Sequence, residues 1–170
     1  MLSLYAGLRI GEVCALRWNN IDFKNHVITV DATIIRIKNE NNKWIYKIGP
    51  PKTTHSKRVI PITDNLYRLL TAEFSNKKSP YIVSSQESFL NIRTFEYRYH
   101  KLLKDANLYP HHFHTFRHTF ATRCIESGVD IKTLSEILGH SSVSFTLNTY
   151  VHPSFQEKCV QMGKLNNLTG

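Results

Sequence analysis

Between His26 and Ile62 the apolar residues come in short β-branched runs separated by turn residues, whereas on either side they recur every three or four positions. One element cannot satisfy both periods, because strands alternate their side chains and helices place i, i+3 and i+4 on one face. The chain must therefore build helices around a small sheet, an α+β fold that is mostly helical. His26 to Ile37 is the first strand-forming run, Asn39-Glu40-Asn41-Asn42 a turn, and Trp44 to Ile48 the return. Gly49-Pro50-Pro51 interrupts the pattern before a third short strand over Arg58 to Ile62, where Pro61 lacks an N–H and belongs at a sheet edge or strand end. The expectation is a three-stranded antiparallel sheet made of these three runs.

Helical stripes occupy the rest. Leu2 to Leu8 and then Ile10, Val13, Leu16 and Trp18 form two short ones divided at Gly7, the second ended by Asn19-Asn20. Thr63-Asp64 opens a helix carrying Leu66, Leu69, Leu70 and Phe74, and Ile92, Phe95, Tyr99, Leu102 and Leu103 form another. Phe116, Phe120 and Ile125 make a stripe that stops at Gly128; Asp130 caps a helix through Ile131, Leu134, Ile137 and Leu138 that stops at Gly139. With 170 residues and no repeat, low-complexity stretch or long polar linker, residues 1–152 read as one mixed domain and 153–170 as an appended helix and tail.

Charge narrows the function. Lys plus Arg exceed acids by 22 − 13 = +9, with nine His in addition, so a polyanion is the natural partner and a purely solvating acidic protein is excluded. Seven of the basic residues lie between Arg36 and Arg58 against one acid, Glu40. Cys14, Cys124 and Cys159 have no CxxC spacing, which argues against a disulfide framework or a thiolate zinc site and fits a reducing compartment. No apolar run approaches the roughly 20 residues that span a bilayer, so a soluble, cytoplasmic protein without a membrane partner is expected.

Four places could carry chemistry. Lys52 follows the Gly49-Pro50-Pro51 break and would ride on a constrained loop, though most loop lysines are only solvated. In His111-His112-Phe113-His114-Thr115-Phe116-Arg117-His118, helical spacing puts His114, Arg117 and His118 on one face, joining a proton acceptor to a guanidinium that can grip phosphate oxygens. A surface patch or a histidine metal site would use the same residues, but HExxH is absent and no carboxylates cluster nearby. His140 follows the helix-ending Gly139, and Tyr150 lies ten residues on, after a run of small and hydroxyl residues suited to a short, mobile element. Arg9, with Glu12 three residues later to orient it, completes a set able to transfer a phosphoryl group without a metal.

Four ordered segments, GLRIGEVCALRWNNID (7–22), PKTTHSKRVIPI (51–62), HTFRHTFATRCIESGVDIKTLSEILGH (114–140) and TLNTYVH (146–152), resemble the tyrosine recombinases, the integrases of phages and conjugative transposons. The resemblance implies a DNA breaking-rejoining catalytic fold and, position by position, a catalytic set of Arg9, Lys52, His114, Arg117, His140 and the nucleophile Tyr150. Phe116 departs from the family's usual leucine without changing the character of the helix face.

The implied chemistry is metal-independent and cofactor-free. The arginines would hold the nonbridging oxygens, His114 would take the phenolic proton or bond the phosphate, Lys52 would protonate the leaving 5′-oxygen, and His140 would add a phosphate contact. The implied partners are double-stranded DNA, further copies of the chain in a tetramer on DNA, and accessory DNA-bending proteins, all at the nucleoid. The resemblance further implies a chain truncated at its N-terminus and a C-terminal tail that docks on a neighbouring protomer. The rival readings are a type IB topoisomerase, a DNA-binding fragment with an idle site, and a histidine-based metalloenzyme.

Overall fold

Gly7 divides the first helical stretch into Leu2–Ala6 (α1) and Ile10–Ala15 (α2), turning the chain with a left-handed φ of 65°. A Cβ there would lie 2.7 Å from a Phe120 ring carbon and 2.9 Å from Leu138, so only glycine permits α1 to sit this close to the elements behind it. The computed structural model describes residues 1–51, 56–151 and 155–164. Beyond α2, the stripe expected to reach Trp18 stops at Ala15; Leu16 is extended and Trp18–Asn20 is a separate 3-10 turn.

The described strands are Ile21–Asp22 (β1), Val27–Val30 (β2), Thr33–Lys38 (β3), Trp44–Gly49 (β4) and Arg58–Pro61 (β5). They form a three-stranded antiparallel sheet, but its members are β1, β2 and β5, while β3 and β4 pair only with each other. The run from His26 to Ile37 is thus two strands, divided at Asp31-Ala32. The physical reason is that Ile34 leaves the first core to pack with Cys14 and Ala15, and Gly11 of α2 approaches Thr33 and Ile34 too closely for any side chain. β1 escaped the sequence because two residues show no alternation. Pro61 lies on the outer strand of the sheet, opposite Val27, where a missing N–H breaks least.

Among the described residues six further helices follow: Asp64–Ser75 (α3), Ile92–Asp105 (α4), Thr115–Glu126 (α5), Ile131–Leu138 (α6), Val143–Tyr150 (α7) and Phe155–Gly163 (α8). Ile28, Val30 and Ile60 of the sheet pack with Leu66 and Leu70 of α3, and Trp18 meets Phe74 edge-on with ring centres 5.3 Å apart. A third core joins Ala121 of α5 to Leu134 and Leu138 of α6, all three fully buried. The Asp130 carboxylate accepts the Thr133 N–H at 2.8 Å and starts α6; Gly139, at φ 64°, ends it. The hydroxyl-rich run before Tyr150 forms the short helix α7, opened by Ser142 accepting from the Phe145 N–H.

Gly7→Ala is expected to lower the unfolding free energy by about 1–3 kcal/mol through backbone strain and overpacking against Phe120. An unchanged urea midpoint would contradict this account of how α1 is seated.

Candidate active site

The last turn of α6 gathers three arginines. Successive carbonyls of Ile137, Leu138 and Gly139 accept from Arg58 Nε at 2.5 Å, Arg117 Nη2 at 2.7 Å and Arg9 Nη2 at 3.0 Å. A helix end leaves these carbonyls without internal partners and carries partial negative charge, so guanidinium groups satisfy both needs. Gly139 makes room: a Cβ would meet the Arg58 guanidinium at 3.1 Å. The turn after α1 adds the Gly7 carbonyl, which accepts from Arg117 Nη1 at 2.5 Å.

One buried carboxylate stands among these cations. Glu12, 3% exposed, accepts the Arg9 backbone N–H at 2.8 Å and Arg9 Nη1 at 2.9 Å, and takes Arg58 as a fork at 3.0 and 2.9 Å. Burial pushes its carboxyl up, but the bonds and charge of Arg58, joined by those of Arg9, outweigh it and hold the carboxyl below its ordinary range. Three guanidinium groups against one carboxylate leave a local charge of +2. Arg58 is closed in, with 5% of its side chain exposed, whereas Arg9 keeps 35% open. Arg117 is 1% exposed, and burial followed by the Arg9 charge lowers its pKa while leaving it a cation at neutral pH.

His140 closes this group from the other side. Its Nε2 lies 2.9 Å from Arg117 Nη2 and its Nδ1 2.8 Å from the Thr146 hydroxyl. A guanidinium only donates, so Nε2 accepts and the proton sits on Nδ1, pointing at Thr146. Burial, then the charges of Arg117, Arg9 and Arg58, pull the His140 pKa down to about 4, so the ring is neutral at physiological pH. In this arrangement the ring braces Arg117 from one nitrogen and meets Thr146 with the other.

His114 precedes α5 with helical dihedrals, its carbonyl accepting the N–H groups of Arg117 and His118, so the expected shared face is present. Burial, then His118 and the arginines, lower its pKa, which favours the neutral imidazole. Its ring meets that of His118 edge-on at 4.6 Å, and His118 in turn lies 5.4 Å from the Tyr150 ring. Tyr150, the last residue of α7, is half-buried and lies nearly parallel to His140 at 6.3 Å. Burial raises its phenol pKa, opposed by the charges of Arg117 and Arg9.

The structure therefore brings Arg9, His114, Arg117, His140 and Tyr150 to one place; Lys52 lies outside the described residues. Among the described residues no three His, Cys, Asp or Glu side chains gather as a metal set. Sequence reasoning passed over Arg58 and Thr146 as members of the site, and it placed His118 on the shared helix face without including it in the catalytic set. Arg58 had a legible signal, since it shares a strand face with buried Ile60 two residues on. Thr146 had none, because one hydroxyl among the five between Ser141 and Thr149 does not announce its neighbours.

Removing the carboxylate should strand two arginines. Glu12→Gln is expected to cost about 3–5 kcal/mol of stability at pH 7 by leaving Arg58 buried without its counter-charge. Because the folded-state pKa is depressed, the ion pair's contribution is present above the unfolded carboxylate pKa of about 4.3 and lost as pH falls through the folded value. The variant's unfolding curve should accordingly be flatter than wild type below about pH 4. Equal stability of the two proteins at pH 7 by denaturant titration would contradict this.

The chain matches the profile of the Phage integrase family over residues 1–157. A tyrosine recombinase XerC-like protein of Caldanaerobacter subterraneus is 35% identical over 99% of this chain and 48% of its own length. The transposase from transposon Tn916 of Enterococcus faecalis is 30% identical over 98% of this chain and 44% of its own. The chain spans about half the length of these curated relatives. Among solved structures, the Tn1549 transposon integrase in complex with transposon right end DNA superposes with a TM-score of 0.82 at 28% identity, covering 97% of this chain and 57% of that one. The matched segment includes every described member of the arginine cluster and the tyrosine beside it, and the chain belongs to the phage integrase family of tyrosine recombinases.

Proposed function

We propose that this chain is the catalytic part of a site-specific recombinase that cuts and rejoins double-stranded DNA through a 3′-phosphotyrosyl linkage at Tyr150, for integration and excision of a mobile element. The observation that carries this reading is the cluster of three arginines and one carboxylate, fixed to a helix end beside a half-buried phenol. Rigid positive charge of this kind favours a phosphodiester, and favours still more the pentacoordinate state that carries extra negative charge.

Each residue then has a task. Arg9, partly open, holds a nonbridging oxygen, while Arg117 supplies charge from beneath. The Tyr150 oxygen attacks phosphorus and the bond to the 5′-oxygen breaks. The phenolic proton passes to neutral His114, with His118 in ring contact with both His114 and Tyr150. Lys52 is assigned the proton that the leaving 5′-oxygen takes up. The ester keeps the phosphodiester bond energy, so another 5′-hydroxyl can reverse the step without fuel. The arginines bear the charge that a divalent ion would otherwise carry.

Residues 1–152 form the catalytic unit in this reading, and 153–170 a segment that docks on a neighbouring copy within a tetramer on DNA. Support comes from α8, whose Phe155, Val160 and Met162 are 81%, 61% and 64% exposed, an apolar set that lacks cover within the described residues. Accessory DNA-bending proteins and a cytoplasmic, nucleoid-associated location complete the proposal. No helix of the described residues is long and apolar enough to cross a membrane.

Tyr150→Phe should retain DNA binding and form no covalent adduct on nicked duplexes resolved in denaturing gels, while wild type forms one in the presence of EDTA. An adduct in the variant, or loss of the wild-type adduct with EDTA, would refute the assignment. Deleting residues 154–170 should reduce the size of the assembly on DNA in sedimentation; an unchanged size would refute docking between copies.

A further inference from the structure

Helix α7 is held in an unusual way. Its apolar residues Val143, Phe145 and Leu147 are 37%, 54% and 40% exposed, while the one fully buried side chain it carries is the hydroxyl-bearing Thr146. Helices usually dock by burying an apolar stripe. This helix instead ends in the half-buried Tyr150 and sends a polar group to the interior.

The buried hydroxyl is satisfied by His140 alone among the bonds described for it, at 2.8 Å. From there a continuous chain runs inward: His140 Nε2 to Arg117 Nη2 at 2.9 Å, and Arg117 onward to the carbonyls of Gly7 and Leu138. Direction is fixed by its inner end. The guanidinium donates, Nε2 accepts, the ring proton is therefore on Nδ1, and the Thr146 oxygen accepts it. Thr146 stands four residues before Tyr150, so the two side chains lie one above the other on the same face of α7. Whatever fixes the depth of Thr146 also fixes the depth of the phenol.

We propose that Thr146 is a positioning residue for strand transfer: its hydroxyl holds His140 as the Nδ1–H tautomer against Arg117 and seats the helix that carries Tyr150. This rests on the reading of Tyr150 as the nucleophile. Without the hydroxyl the part-buried Nδ1–H loses this acceptor, which costs free energy and favours a mixture of ring tautomers. Valine has nearly the shape of threonine but cannot accept this bond. Serine can accept it and lacks only the methyl group.

Two measurements on the 170-residue chain test this. In long-range proton–nitrogen NMR of unliganded protein, His140 should show Nδ1 protonated and Nε2 free in wild type and Thr146→Ser, and a mixture of tautomers in Thr146→Val. On a pool of nicked duplexes of randomised sequence, Thr146→Val should form adduct about 10- to 100-fold more slowly than wild type at unchanged DNA affinity, the range typical when the group that orients a functional imidazole is removed. Thr146→Ser should recover to within a few-fold of wild type. A wild-type His140 protonated on Nε2, a Thr146→Val adduct rate equal to wild type, or a serine variant as slow as valine would each overturn the proposal. If wild type itself yields no adduct while its His140 carries the proton on Nδ1, the nucleophile assignment fails and the hydroxyl's hold on the ring stands.

Discussion

Three consecutive peptide carbonyls at the end of α6 decide the architecture of this protein's site. Each needs a donor from outside the helix, and each receives an arginine from a different element: Arg58 from β5, Arg117 from α5 and Arg9 from the start of α2. The repulsion among three nearby guanidinium groups is tolerable because the helix end is negative and because Glu12 sits between two of them. The sheet, the N-terminal helices and the C-terminal half of the chain thus meet at one helix terminus. Positions 9, 58, 117 and 139, far apart in sequence, are fixed relative to one another without any of them touching a ligand.

The cluster is polarised from bottom to top. Arg58 and Glu12 are closed off and serve to fasten; Arg117 is buried but faces His140 and the phenol; Arg9 is open. A positive site built in this order needs little rearrangement when an anion arrives, which is the condition under which fixed dipoles and charges act most strongly on a reacting group. The neutral histidines fit the same scheme. Both His114 and His140 are depressed by burial and by the arginines, so neither adds to the cationic crowding, and each keeps a nitrogen lone pair.

Much of this was legible in the sequence, for definite reasons. The αL stops at Gly7 and Gly139, the Asp130 cap and the edge position of Pro61 follow from backbone chemistry that is local to each residue, and each was visible as such. His114, Arg117 and His118 share a face because helical spacing guarantees it. Where long-range packing decides, the reading fell short. Nothing between Val30 and Thr33 indicates that the strand changes sheets, since the cause lies in α2. Arg58 was counted as one more positive charge although its register placed it inward, and Thr146 could not be singled out before the ring of His140 was in place. Likewise, the bond between His140 and Arg117 joins two elements that sequence cannot position relative to each other.

The central claim is that an anion belongs at this cluster, between Arg9 and the oxygen of Tyr150. Crystallisation of the chain with orthovanadate and short DNA duplexes tests it most directly. Density for a vanadate ester on Tyr150, with a nonbridging oxygen within hydrogen-bond distance of Arg9, is the predicted result. Vanadate bound away from the end of α6, or esterified to any other side chain, would contradict the account.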